Sequence, residues 1–220
     1  MAGLSNTELT AVTSTLSTPR ISRYMAACAN DPARAIELYR WNAQISAAFL
    51  VPLHICEIAL RNAIVGAIED LYGPNWFHAG TAFERSLPKR ASGYNPFQDL
   101  AFSRQGQSSA GKIIPELKFM FWISMVTARH DARLWIPYIT KHFPMLLPNA
   151  TPSLRRRTLH GRLEDIRRFR NRIAHHEPVF NRPLALDYSK ITDVISWISR
   201  ETTHWLSSFE TVTSLLGRRP

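Results

Sequence analysis

A helical pattern of about forty residues constrains this chain more than any other feature. It opens at Asp31-Pro32 and stops at Gly73-Pro74. Asp is a good helix N-cap, and Pro fits the first helical turn, where its missing N–H is not needed. A Gly-Pro pair ends a helix. Pro52 lies inside the run and predicts a kink or a break there. The most apolar part, Ile45 to Leu60, carries Pro52, His54 and Glu57, so it is a poor membrane span. It reads instead as a buried core helix.

Similar signals divide the rest. Ser5-Asn6-Thr7 caps a short helix through about Leu16, and Thr18-Pro19 begins another. Residues 1–30 thus read as a helical N-terminal extension. From Gly73 to Gly111 the helical period is lost, which predicts a long central loop with one short helix near Thr81 to Leu87. Lys112 to Arg129 reads as an aromatic-rich helix, and Asp131 caps a helix through about Phe143. Pro144 and Pro148 mark a turn. Thr151-Pro152 opens a long helix that ends before Glu177-Pro178, and Leu186 to Leu216 reads as a final helix. No alternating strand pattern longer than a few residues is present, and no internal repeat. The predicted fold is all-α. One domain over residues 1–220 is expected, since no low-complexity linker divides the chain.

Apolar residues make up 45% of the 220, which supports a packed core and excludes a disordered chain. The formal charge is +10, and 22 of the 27 basic residues are Arg. Such a surface suits nucleic acid or an anionic membrane. Eight of the arginines fall between Arg155 and Arg172. Arg155, Arg156, Arg157, Arg162, Arg167, Arg168 and Arg172 are the expected RNA contacts, because the guanidinium fork matches phosphate. Cys28 and Cys56 form neither a disulfide framework nor a zinc site. With no apolar signal core near the start, they point to a reducing cytosol.

The long helix after Pro152 ends in RRFRNRIAHHEP, Arg167 to Pro178. Leu159, Leu163, Ile166, Phe169 and Ile173 form its apolar stripe. At about 100° per residue, Arg170 falls within about 40° of Ile166, on that stripe. A buried Arg there needs a partner. Asn171 and His175 are four apart and share another face. An Arg and a His beside one phosphodiester suffice for RNA cleavage without a metal. The ribose 2′-hydroxyl attacks phosphorus, the His exchanges protons, and the Arg offsets charge on the phosphoryl oxygens. No cofactor is required. The blander reading is a helix end, with Arg, Asn and His serving the last carbonyls and the dipole. His175-His176-Glu177 lacks the i, i+4 spacing of a zinc helix, and His54 with Glu57 is a weak pair, so no metal site is expected. Phosphate-cradling Gly loops and nucleophile elbows are absent from the sequence. A second Arg-Asn pair, Arg61-Asn62, lies in the first long helix, with Glu57 four residues before Arg61 in the favourable order for an ion pair.

RNRIAHHEP resembles the Arg-Asn-x-x-x-His signature of HEPN ribonuclease domains, and more narrowly the Abi-like (abortive infection, AbiD/AbiF-type) bacterial proteins. ELYRWNAQISAAFL from Glu37, HICEIALRNAI from His54, GKIIPELKFMFWISM from Gly111 and RLWIPYITKHFP from Arg133 fit the narrower group. Together they span about Ala35 to Asn181. One departure is Lys118-Phe119-Met120, where Ser-Phe-Gly is common. The resemblance implies a HEPN-like helical bundle and a homodimer with two motifs facing across a composite cleft. It implies metal-independent RNA cleavage in phage defence or as a toxin, with an antitoxin or defence-system partner. By position, Arg170 and His175 would be catalytic and Asn171 polar support. Glu57, Arg61, Asn62 and His176 would be supporting residues, with Glu57 holding Arg170 or Arg61. Two other readings compete. A non-catalytic RNA-binding or assembly module of the same fold would rest on the Arg155 to Arg172 run. A membrane-associated protein would rest on Ile45 to Leu60.

Overall fold

A computed structural model describes residues 4–107 and 109–220. The start of the N-terminal extension, residues 1–3, lies outside the described residues. All regular structure among the described residues is helical.

Helix α3, Pro32–Tyr72, is the spine. Asp31 caps it by accepting from the N–H groups of Ala33 and Arg34, and Gly73 ends it at a φ of 78°. The helix runs unbroken for 41 residues through Pro52, so the expected break does not occur. Pro52 forfeits one backbone hydrogen bond. Its ring is buried, and the helix continues on both sides of it. By length and composition α3 is long and apolar enough to cross a membrane, with 39% of its apolar window buried.

The other helices wrap this spine. Before it come α1, Asn6–Leu16, closed by a Ser5–Glu8 capping box, and α2, Thr18–Ala27, which seats Ile21 and Tyr24 in the core. The segment from Gly73 to Gly111 is not the open loop expected. It holds the expected short helix near Thr81 to Leu87, α4, Ala82–Ser86, and a second, α5, Pro96–Ser103, and buries Trp76, Phe77, Phe83, Leu87 and Leu100. The Asn95-Pro96 start signal of α5 stands in the sequence.

The expected Lys112 to Arg129 helix is two pieces, α6, Ala110–Glu116, and α7, Phe119–Met125. Pro115 lacks an N–H, and the Lys118 N–H goes to the buried Asp99 carboxylate instead of back along the helix. A short 3-10 turn, Ala128–His130, and a π turn, Asp131–Trp135, lead into α8, Ile136–His142. The α3–α8 contact is close at Gly66, where an added Cβ would sit 2.6 Å from the His142 ring. His142 and Lys141 both reach Asp70 of α3 at 2.7 Å.

Helix α9, Pro152–Ala174, begins at Thr151-Pro152 as its signals require. Leu159, Leu163, Ile166, Phe169 and Ile173 are its buried stripe, as read from the sequence. The final helix is three, α10 Leu184–Ile198, α11 Arg200–Ser207 and α12 Val212–Leu216. The α10–α11 break falls at Ser199, whose hydroxyl caps the next helix through the Thr202 N–H. The Trp197 carbonyl, which a continuous helix would use for itself, accepts from Met145 N–H across the fold. Helix α10 lies against both α3 and α9. Where α3 and α9 meet, Phe49 and Phe169 pack edge to face, with ring centres 4.7 Å apart. Such a pair adds about 1 kcal/mol to the burial of both rings.

Candidate functional site at the end of helix α9

The segment after α9 is anchored before anything reactive is placed on it. Asn42 of α3 is buried, and its Oδ1 accepts from the N–H groups of Val179 (2.8 Å) and Phe180 (3.0 Å). Arg182 forms a two-pronged pair with the buried Asp187 of α10 and lies over the Phe169 ring. Between α9 and these anchors the chain turns at His176, which has φ +55°. The His176 carbonyl accepts from the Arg20 guanidinium of α2.

On this frame the motif residues separate. Arg170 is exposed, not buried on the apolar stripe as expected. It needs no internal partner, because it opens into a groove of about 710 Å³ beside Leu50, Val51, His54 and Glu57 of α3 and Trp205 and Phe209 at the end of α11. Leu50 and Trp205 are more than half exposed, so this groove has an apolar rim around one guanidinium. Asn171 is half-buried, and its carbonyl accepts the His175 N–H. His175 is exposed and edges a different hollow, shared with Arg20, Arg23 and Glu177. A third hollow, edged by His176, lies between the two and shares Leu50 with one and Arg20 with the other. One chain therefore presents Arg170 and His175 on a continuous surface, but in separate recesses.

The supporting residues divide likewise. Glu57 pairs with Arg61, as the i, i+4 spacing predicts, and also lines the Arg170 groove. It does not ion-pair with Arg170. Asn62 is exposed on α3 and edges none of these three recesses.

The Arg run of α9 differs most from expectation. Arg155 is 2% exposed and cannot meet a phosphate. It donates to Thr140 Oγ1 (2.7 Å) and to the Phe143 carbonyl (2.8 Å), tying α9 to the end of α8. Its burial lowers the guanidinium pKa. Arg156 pairs with Asp131, Arg162 with Asp193, Arg167 with Glu164, Arg168 with Asp165 and Arg172 with Glu177. Among the described residues, only Arg157 and Arg170 of this run carry neither burial nor a carboxylate partner. Glu164 and Asp165 lie on α9 itself and Glu177 just after it, within reach of sequence spacing, whereas Asp131 and Asp193 come from other helices and no spacing reveals them.

Sequence reasoning missed Asn42, Arg20 and Arg23. No local signal marks them, since each acts on a residue more than 130 positions away in the chain. Cys56 is no nucleophile candidate. It is buried, and desolvation, then Glu57, push its thiol up to about 12. Among the described residues, no three His, Cys, Asp or Glu side chains gather where they could hold a metal ion. Neither a family model, nor a curated protein, nor a solved structure matches the chain.

Proposed function

We propose that the chain is a metal-independent endoribonuclease with a HEPN-type helical bundle, working as a homodimer on cellular RNA, tRNA above all. Its setting is phage defence by abortive infection or toxin action, under an antitoxin or defence-system partner. The observation that carries this reading is the end of α9. Arg170 and His175 of the Arg-Asn-x-x-x-His motif both stand exposed on a helix whose other face is locked into the core. The resemblance of RNRIAHHEP to the HEPN signature supplies the chemistry.

The 2′-oxygen forms a bond to phosphorus as the bond to the 5′-oxygen breaks. One imidazole takes the 2′-proton, and an acid gives one to the leaving oxygen. Arg170 offsets the charge on the phosphoryl oxygens. DNA, without a 2′-hydroxyl, is not cut.

The separation of Arg170 and His175 supports the dimer. Within one chain they open into different recesses, and a second copy would bring an Arg170 and a His175 together on one phosphodiester. The apolar rim at Leu50, Val51, Trp205 and Phe209 is a surface suited to being covered by that second copy. A cytoplasmic protein is supported by the two free, buried cysteines, and a non-membrane role by the helices α2, α7, α8, α10 and α12 that clothe α3.

The test is end-labelled total tRNA in EDTA, with wild type beside His175→Ala. The wild type is expected to cut and leave 2′,3′-cyclic phosphate ends, and the variant to fold and not cut. Equal cleavage by the two overturns the assignment. A strictly monomeric protein that still cleaves removes the composite cleft.

A further inference from the structure

The N-terminal helices bring to His175 a set of groups that the motif does not contain. The hollow at His175 encloses about 340 Å³ and is edged by Arg20 and Arg23 of α2. A neighbouring hollow of about 560 Å³ is edged by Tyr39, Ala43, Ser46 and Ala47 of α3. Arg20 and Glu177 edge both.

The smaller hollow keeps a positive balance. The Arg20 guanidinium donates to a neutral carbonyl, that of His176, so its charge is not cancelled. Arg23 is exposed and has no carboxylate partner among the described residues. The one carboxylate present, Glu177, lies 3.4 Å from Arg172 and is already engaged. Two guanidinium groups beside an imidazole suit a phosphate group. The larger hollow is different in kind. Small side chains of α3, Ala43, Ser46 and Ala47, lie beside the half-buried Tyr39 of the same helix, and the hollow they edge is large enough for a flat ring system. A phosphate and its own nucleoside are adjacent in the same way that these two hollows are.

We infer that these hollows form one nucleotide subsite, with an RNA phosphate on Arg20 and Arg23 beside His175 and the adjoining nucleoside against Tyr39 and Ala47. Arg23 is the binding residue. Arg20 also acts as a positioning residue, since its bond to the His176 carbonyl holds the turn that carries His175. The choice of RNA as the ligand rests on the ribonuclease reading.

The test is the affinity of the full chain for a short fluorescent single-stranded RNA, in EDTA, across a salt series, with thermal melts for every variant. Inorganic phosphate is titrated in parallel as a competitor. Arg23→Gln is expected to weaken RNA binding roughly tenfold and lower the salt slope by about 0.7, the share of one phosphate contact on a single strand. Arg90→Gln, in the exposed stretch between α4 and α5, removes the same charge elsewhere and is expected to change neither. Ala47→Trp fills the larger hollow from an exposed position. It is expected to weaken RNA several-fold at unchanged slope while leaving competition by inorganic phosphate intact.

Arg23→Gln behaving like Arg90→Gln overturns the subsite and leaves the ribonuclease reading in place. RNA binding untouched by Ala47→Trp also overturns it, reducing the site to one for free phosphate. A wild type that binds RNA through Arg23 but never cleaves keeps the subsite and removes the ribonuclease reading. A wild type that binds no RNA overturns both.

Discussion

Removing the Asn42 side chain tests the frame on which the candidate site is built. In Asn42→Ala the N–H groups of Val179 and Phe180 lose their acceptor, and both residues are buried. Each orphaned buried donor costs about 1–3 kcal/mol, so the pair amounts to about 2–6 kcal/mol. If the segment relaxes toward water the loss falls at the lower end, and if it stays packed, at the upper. For a chain of this size each kcal/mol moves Tm by about 2–4 °C, which gives a drop of roughly 4–24 °C. Asn42→Asp keeps an acceptor oxygen for both donors and is expected to lose less than Asn42→Ala. The assay is a pair of denaturant curves read by circular dichroism, with melts alongside. A loss under about 1 kcal/mol for Asn42→Ala, or equal losses for the two variants, refutes the argument that these two bonds hold the segment after α9.

The α9 arginines offer a clean division. Arg155→Met is expected to lower stability by about 2–4 kcal/mol, by removing hydrogen bonds to Thr140 and Phe143 in a buried site, with affinity for RNA per folded molecule unchanged. Arg157→Gln is expected to do the reverse, leaving the melt within about 0.5 kcal/mol and weakening RNA binding, as filter binding at two salt concentrations will show. His130 gives the pH dependence. It is 4% exposed, and desolvation, then the nearby Arg129 and Arg133, hold its folded pKa at about 4 against an ordinary 6.5, while Asp131 opposes them. Below pH 6.5 the unfolded chain takes up a proton that the folded one refuses, so stability is whole above 6.5 and falls toward 4. Between pH 6.5 and 5 the loss is about 1.5 kcal/mol, and in urea titrations His130→Gln is expected to flatten that slope.

The beginnings of helices were legible in the sequence, because caps are local chemistry. Ser5, Asp31-Pro32 and Thr151-Pro152 open α1, α3 and α9 where their side chains require. The buried stripe of α9 and the Glu57–Arg61 pair were legible for the same reason, since both depend on spacing within one helix. The helix breaks were not. At Lys118 and Trp197 a backbone group is claimed by Asp99 or by Met145, and no property of the local sequence reveals a competitor from another helix. The Gly73 to Gly111 stretch misled because short helices bounded by Pro and Gly lack a period, although its Trp76, Phe77 and Phe83 are core. The same limit applies to the site. The motif residues were visible, but Arg170 lies outside the core and Arg155 within it, the opposite of what charge and helical angle suggested. The α2 arginines stand beside His175 only because the chain folds back across α3.

His176 bears a different kind of information. A residue with a side chain in the left-handed region is held there at a cost of about 1 kcal/mol relative to glycine. Foldability alone would favour glycine at this turn, so His176→Gly is expected to melt higher than the wild type. Its imidazole edges the hollow beside Arg20 and Tyr24. A variant that gains stability while losing RNA affinity would identify position 176 as a compromise between the ease of the turn and the use of the ring.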